Sequence, residues 1–456
     1  MHTPGDNPGT ENALSGDSAS LDSASAADGQ RLTVSIEKLV HGGEGLARTP
    51  EGVLLVPRVL PGETAEVETE PRRQGVRRAR LTRLASVSAD RITPECPHFA
   101  RCGGCQFQHI PYDLQLRLKQ EIFEETFQRI GKFPLDAPVT VLASPPWRYR
   151  NRVRLRVSKQ AEQFEIGYLE FSSHLLCPVE QCPIASDSIN AALGALQAGT
   201  GAALFSDGEA ELELFAAEPP AQPGPQPGAR LLATVYAAEA PAKEFGEHLM
   251  RELPAIESVC WKQHGGPERN WGSGCVVCHA GEFAYRVSHH SFFQSNRFLL
   301  GGMVEAVVDD LGGERALELY AGVGLFTLPL AQRYENVAAV EADRSSARDL
   351  ACNAAVAGHR VRAYHATAEK FLARLASVPQ AILANPPRSG LTKAVTGHLL
   401  RLRPQRFVYV SCEPATLARD LAAMTAAGYR LRSVHLADQF PQTYHLESIV
   451  HLELAP

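Results

Sequence analysis

Ala316-Leu317-Glu318-Leu319-Tyr320-Ala321-Gly322-Val323-Gly324-Leu325 is the stretch that decides the fold. Ala316 to Tyr320 reads as a strand, Ala321 to Gly324 as a tight turn, and a helix is expected from Leu325. Val337 to Val340 is a second strand, and Glu341 ends it. Further strands are expected at 361–365, 381–384, 406–410, 430–437 and 448–454, with helical stretches between most of them. Strands alternating with helices predict a doubly wound, Rossmann-like α/β domain.

In such sheets, ligands bind outside the carboxyl ends of the strands. Glycines let a ligand approach the backbone, and an acid at the next strand end can take both hydroxyls of a ribose. Gly322 and Glu341 are therefore candidate cofactor residues. The full GxGxxG pattern of dinucleotide sites is absent, because Phe326-Thr327 follow Leu325. The shorter form suits S-adenosylmethionine, which has no pyrophosphate to cradle. A purely structural turn is the competing reading.

Two more segments fall at the same sheet edge. Asn385-Pro386-Pro387-Arg388-Ser389-Gly390 follows the apolar strand Ile382-Leu383-Ala384. Paired prolines make that loop rigid. Val408-Tyr409-Val410-Ser411-Cys412-Glu413-Pro414 places a cysteine between a strand and a helix. A helix N-terminus favours thiolate, and Glu413 opposes it. Cys412 is a candidate nucleophile, against the ordinary fate of a buried, inert thiol. Glu447, just before the last strand, is a candidate general base.

Outward from this domain the chain changes character. It has 456 residues and a formal net charge of −6. Residues 30–160 nevertheless carry 22 basic and 14 acidic side chains. That local surplus suggests a polyanion-binding surface. Residues 1–29 hold five acids and no Lys or Arg, and read as a disordered tail rather than a secretory signal. From Arg31 to Ser88, short strands predict a small β-barrel, closed by Arg72, Arg73, Arg77, Arg78, Arg80 and Arg83. Arg150, Arg152, Arg154 and Arg156 alternate with apolar residues, as on one face of a strand. Both arginine sets are expected to touch nucleic acid; the alternative is a solvated charged hairpin for the barrel set and salt bridges to a neighbouring acidic strand for Arg150 to Arg156. Tyr112 to Ile130 reads as a helix, and Pro219 to Pro227 as a surface excursion.

Ten cysteines without a signal sequence point to a reducing cytoplasm, where spacing signifies metal binding or catalysis. Cys96-x5-Cys102-x2-Cys105 is one such group, and Cys260, Cys275, Cys278 and His279 are a weaker one. Four cysteine ligands could hold zinc or an iron–sulfur cluster equally well. No run of 18 apolar residues occurs, so no membrane-spanning helix is expected.

Together, Tyr320-Ala-Gly-Val-Gly-Leu-Phe-Thr-Leu-Pro-Leu-Ala331, Asn385-Pro-Pro-Arg-Ser-Gly390, Val410-Ser-Cys-Glu-Pro-Ala-Thr-Leu-Ala-Arg-Asp420 and His290-Ser-Phe-Phe-Gln-Ser-Asn296 resemble the RNA uracil-5-methyltransferases. The resemblance runs from about Leu32 to the end, and its front part is similar to a TRAM domain, an OB-like RNA-binding barrel. It implies Cys412 as nucleophile, Glu447 as base, and Gln294, Tyr320, Glu341 and Asn385 at the S-adenosylmethionine site. Asn385 stands where the family usually has Asp, and Glu413 where Asn is common. The resemblance also implies a [4Fe–4S] cluster on Cys96, Cys102, Cys105 and Cys182, Cys182 being favoured over Cys177 by its Val-Glu-Gln-Cys-Pro-Ile context. It gives no support for metal at the Cys260 group.

The organisation this implies is a tail (1–29), a TRAM-like barrel (30–88), a β-rich central domain with the cysteine motif (89–288) and a methyltransferase domain (289–456), with helix 112–131 packing on the last. The implied activity is S-adenosylmethionine-dependent C5-methylation of an RNA uridine, in 23S rRNA, by a cytoplasmic monomer acting through a Cys–C6 adduct. Amino-group methylation using the Asn-Pro-Pro loop, and non-catalytic RNA binding prompted by Asn385, are the alternatives.

Overall fold

The computed structural model describes residues 29–72, 75–219 and 228–455. Most of the N-terminal tail, Arg73 and nearly all of the proline-rich excursion lie outside the described residues.

Eight strands form the sheet that carries the motifs. Their spatial order is Val361–His365, Tyr334–Glu341, Gly313–Leu319, Ala381–Ala384, Arg406–Ser411, Glu447–Leu454, Tyr429–Ala437 and Val139–Leu142. All neighbours are parallel except Glu447–Leu454, which is antiparallel to both of its neighbours. Every strand expected in this part of the sequence is present. Apolar residues on these strands divide between two layers. Ala316, Leu383, Val408 and Val410 pack into one cluster; Leu317, Leu319, Ile382, Ala384, Phe407 and Tyr409 pack into the other. Helices cover both faces, which is why the strands read as continuous apolar runs. The chain leaves Gly313–Leu319 on one side and returns on the other at Ala381–Ala384. That reversal opens a crevice at the carboxyl ends of these two strands.

Val139–Leu142 lies within the span 89–288 in sequence, yet it pairs in parallel with Tyr429–Ala437. The preceding helix, Tyr112–Thr126, continues into a π-helical turn, Phe127–Gly131. Phe123 and Phe127 are buried in the same cluster as Leu417 and Leu421 of the helix Pro414–Ala426. Residues 112–142 thus reinforce the catalytic sheet.

The N-terminal six strands form a curled sheet around Val34, Leu54, Val56, Ala65, Val67 and Ala79. Glu37 N donates to Leu46 O (2.9 Å), bringing the end of the first strand to the third and closing the barrel. A seven-stranded sheet and the hairpin Cys275–Ala280/Phe283–Ser288 make up the middle.

The arginine readings change here. Arg150 precedes the strand Arg152–Gln160, so the alternating face holds three guanidinium groups, not four. The neighbouring antiparallel strand, Gly208–Ala217, supplies Glu211 and Glu213. Arg152 pairs with Glu213 (3.5 Å), and Arg154 and Arg156 share Glu211 (3.0 and 3.1 Å). Arg152 also lies over the Phe215 ring. In the barrel, Arg77 meets Glu51, Arg78 meets Glu44, Arg80 meets Glu68 and Arg83 meets Glu66. Glu66 and Glu68 sit on the neighbouring strand, Glu44 one strand further away and Glu51 in the turn between, all at least 12 residues from their arginines in sequence, so the pairings are not visible in one dimension.

Candidate active site

Cys412 and Glu447 come together because of strand register. Ser411 pairs with Ser448 across the antiparallel ladder, so the residues just beyond, Cys412 and Glu447, stand opposite each other at one end of the sheet. Ser448 Oγ donates to Ser411 O (3.0 Å), fixing that end. Glu447 is 5% exposed. Burial pushes its carboxyl up to about 8, and Arg388 pulls against this. The Cys412 thiol is pushed up to about 11, first by burial and then by Glu447, with Arg388 again opposing. The sequence led us to expect a thiolate favoured by the helix N-terminus; burial beside a carboxyl overrides that dipole.

Glu413 caps the helix Pro414–Ala426 and accepts from Ala415 N. Its carboxylate is also engaged by His41 Nε2 (2.9 Å), which reaches in from the barrel. This partner holds the Glu413 carboxyl below its usual range despite burial.

Arg388 belongs to the 385–390 loop, and nothing in the sequence assigns it a role of its own. In the fold its guanidinium lies near both groups and pulls the Cys412 thiol and the Glu447 carboxyl downward. Its loop is tied down by the helix that follows the cysteine. Thr416 Oγ1 donates to Arg388 O (3.1 Å), Arg419 Nη2 to Ser389 O (3.1 Å), and Leu391 N to Asp420 Oδ2 (2.8 Å). Gly390 has φ +74°, and a Cβ there would meet Asp420 Oδ2 at 2.6 Å, so glycine is required for this close approach.

The segment before Glu447 is held from a third direction. Lys119 Nζ donates to Asp438 Oδ1 (2.6 Å) and to Phe440 O (3.1 Å), with the lysine and aspartate side chains 2% and 0% exposed. Gln106 N and Phe107 N both donate to Gln442 O (3.0 and 2.9 Å). His445 is pushed down to about 4 by burial and then by the nearby Arg388, Lys119 and Arg150. Of these cations, Arg388 also acts on the Cys412–Glu447 pair. Lys119 and His41 were not singled out in the sequence, since each comes from a distant segment.

Tyr320, Gly322, Glu341 and Asn385 stand at the carboxyl ends of the strands that border the crevice. Tyr320 follows Gly313–Leu319 with φ +59°, Gly322 lies in the turn with φ +57°, and Asn385 follows Ala381–Ala384. A Cβ on Gly322 would meet nothing within 4 Å, so the space above this backbone is open. Glu341 Oε2 accepts from Gly322 N (2.8 Å) and Oε1 from Asp343 N (2.6 Å). Its carboxylate is held in place while each oxygen keeps a lone pair for a ribose hydroxyl. Beside it a cleft of about 670 Å³ is lined by Ala342, Tyr364, His365 and Phe371. Gln294 is buried, and its backbone carbonyl accepts from Asn151 Nδ2 (3.3 Å). Open space, a fixed acid and a cleft with apolar walls fit an adenosyl group.

The four cysteines also converge. Cys96, Cys105 and Cys182 border one small core cluster with Phe99, Tyr149 and Ile184. The thiols of Cys96, Cys102 and Cys105 are raised by burial and by Cys182, and Cys177 also raises the first two. Gly104 N donates to Cys102 Sγ (3.4 Å). Cys177 is buried on the strand Leu176–Pro178, where Arg101 and Glu170 act on it. Cys275, Cys278 and His279 share one strand, apart from Cys260 on the strand Ile256–Gln263.

Among the described residues, no helix is long and apolar enough to cross a membrane. Residues 275–455 match the family model described as tRNA (Uracil-5-)-methyltransferase, and residues 26–81 match the TRAM domain. The chain is 33% identical to the 23S rRNA (uracil(1939)-C(5))-methyltransferase RlmD of Pectobacterium atrosepticum, over 93% of this chain and 94% of that one. It is 30% identical to the Shewanella frigidimarina protein of the same name, over 93% and 96%. The crystal structure of Pyrococcus abyssi tRNA (uracil-54, C5)-methyltransferase in complex with S-adenosyl-L-homocysteine superposes with a TM-score of 0.72 at 23% identity, covering 92% of this chain and 100% of that one. The same overall fold is therefore shared along nearly the whole chain. Neither amino-group methylation nor non-catalytic binding has a counterpart in these matches. The chain belongs to the RNA uracil-5-methyltransferases, enzymes that methylate uracil C5 in RNA with S-adenosylmethionine as donor.

Proposed function

We propose that this enzyme methylates a uridine of 23S rRNA through a covalent adduct between Cys412 and uracil C6. The observation that carries the reading is the juxtaposition of Cys412, Glu447 and Arg388 at one sheet end, beside the crevice. Uracil C5 is a weak nucleophile. Addition of the Cys412 thiolate at C6 converts the ring to an enolate and makes C5 nucleophilic. Arg388 helps the thiol lose its proton and stands where negative charge develops. Gln294, Tyr320, Gly322, Glu341 and Asn385 would hold S-adenosylmethionine, which would supply its methyl group as an electrophile. Glu447 then takes the C5 proton, for which a carboxyl raised to about 8 is a competent base near neutral pH, and Cys412 is released. A site this buried admits only a base that has left its stack, so a loop or single strand is the natural substrate. The rRNA assignment rests on the names of the two RlmD relatives.

Cys96, Cys102, Cys105 and Cys182 are proposed to carry a [4Fe–4S] cluster. Its role would be to brace the loop whose Gln106 and Phe107 hold Gln442, upstream of Glu447.

The test is a denaturing gel with labelled RNA and S-adenosylmethionine. Glu447→Gln keeps size and hydrogen-bonding reach but loses basicity. It should methylate and then stall with RNA attached through Cys412. The slow-migrating, methylated band should vanish in the double variant with Cys412→Ala. Wild-type rates in Cys412→Ala would reject the nucleophile.

A further inference from the structure

The Cys260 group has a geometry that the methyl-transfer site does not use. Cys260 lies on Ile256–Gln263 and Glu268 begins the antiparallel strand Glu268–Gly272. Cys260 pairs with Asn270 and Lys262 with Glu268, so Cys260 and Glu268 are diagonal neighbours on one face. His290 comes from the loop after Phe283–Ser288, in a left-handed conformation of φ +68°. Its Nε2 is 3.6 Å from Cys260 Sγ and 3.1 Å from Glu268 Oε2. All three ligand atoms lie within 4.8 Å of one another.

We propose that Cys260, Glu268 and His290 form a binding site for a divalent cation of zinc's character, completed by water. Thiolate, imidazole and carboxylate together suit zinc. Bonds of about 2.3 Å to sulfur and 2.0–2.2 Å to nitrogen and oxygen separate tetrahedral ligand atoms by about 3.4–3.6 Å. The two separations from His290 Nε2 need shifts of only a few tenths of an ångström, and Cys260 Sγ and the Glu268 oxygen lie within 4.8 Å. His290 is also oriented as a metal ligand requires. Its other nitrogen, Nδ1, meets the Tyr236 hydroxyl at 3.3 Å, which leaves Nε2 facing the thiol and the carboxylate. Cys260 is fully buried while Glu268 is exposed, so the fourth position opens to solvent. Lys262 Nζ, 3.6 Å from Glu268 and half exposed, is free to swing outward as the ion enters.

The ion would fasten the central sheet to the loop that leads from His290 to Gln294. That loop is already anchored beside it: His289 meets Thr234 Oγ1 (2.8 Å) and Ser258 Oγ (3.1 Å). Cys278, buried among Val276 and Tyr285, takes no part and serves as a control.

The experiment is competition of the cluster-containing protein for zinc against a chromogenic chelator. Zinc and iron per chain are counted afterwards, and zinc-edge X-ray absorption reads the coordination. The wild type should retain about one zinc with one sulfur among its ligands. Glu268→Gln, Cys260→Ser and His290→Asn should each bind at least about ten-fold more weakly, with iron unchanged. Glu268→Gln is at an exposed position, and asparagine tolerates the left-handed backbone at 290, so both keep the fold. Cys278→Ser should bind as the wild type does. Zinc binding unaltered by Glu268→Gln and His290→Asn, failure of the wild type to retain zinc, or coordination by four sulfurs would overturn the proposal.

Discussion

Replacing Glu447 by Gln should alter the reactivity of Cys412 in the free enzyme, before any RNA is bound. With its carboxyl at about 8, roughly a tenth of Glu447 is ionised at pH 7 and roughly nine-tenths at pH 9. The Cys412 thiol stands at about 11, with Glu447 the second cause after burial. Thus about 1% of Cys412 is thiolate at pH 9. A charge in direct proximity shifts a neighbour by about 1–3 units. Taking the lower limit, Glu447→Gln should lower the thiol by about one unit, or about 1.4 kcal/mol. Thiolate at pH 9 would rise to about 10%, and alkylation would run about ten-fold faster. At pH 6.5 Glu447 is already protonated, so the two proteins should react alike. The assay is iodoacetamide labelling across this range, quantified on the Cys412 peptide by mass spectrometry, with the exposed Cys352 as internal reference. A rate ratio that stays at one from pH 6.5 to 9.5, or a variant slower at high pH, would refute the electrostatic coupling.

Lys119→Met leaves the Asp438 carboxylate buried without its cation and should cost about 3–5 kcal/mol in denaturant unfolding, with part recovered by adding Asp438→Asn. Arg154→Ala loses a half-exposed ion pair with Glu211 and should change stability by less than about 1 kcal/mol. Its RNA affinity should keep the wild-type salt dependence; a slope smaller by about one unit would return Arg154 to the RNA. In anaerobically purified protein, Cys182→Ser should lose iron and Cys177→Ser should retain it, as read by iron content and visible absorbance.

Some of this protein was decided by sequence alone because it is local. Alternating apolar strands and glycine turns specify the α/β domain, and Cys412 between a strand and a proline-started helix is a short-range pattern. Cys96, Cys102 and Cys105 lie within ten residues of each other, so their spacing is visible in one dimension. Other features depend on which strands become neighbours. Glu447 faces Cys412 only because the last strand enters antiparallel in the Ser411–Ser448 register. The arginines at 152, 154 and 156 meet Glu211 and Glu213 because Gly208–Ala217 pairs with their strand. Lys119 reaches Asp438 across 319 residues of sequence. His290 joins Cys260 and Glu268 through a turn, a hairpin and a left-handed residue, none of which announces a ligand set by spacing. Charge signs are written in the chain, but a charge's partner, its burial and hence its ionisation follow from packing. That is why the Cys412 thiol, expected to be lowered by a helix end, is instead raised by the apolar site and the carboxyl that the fold sets beside it.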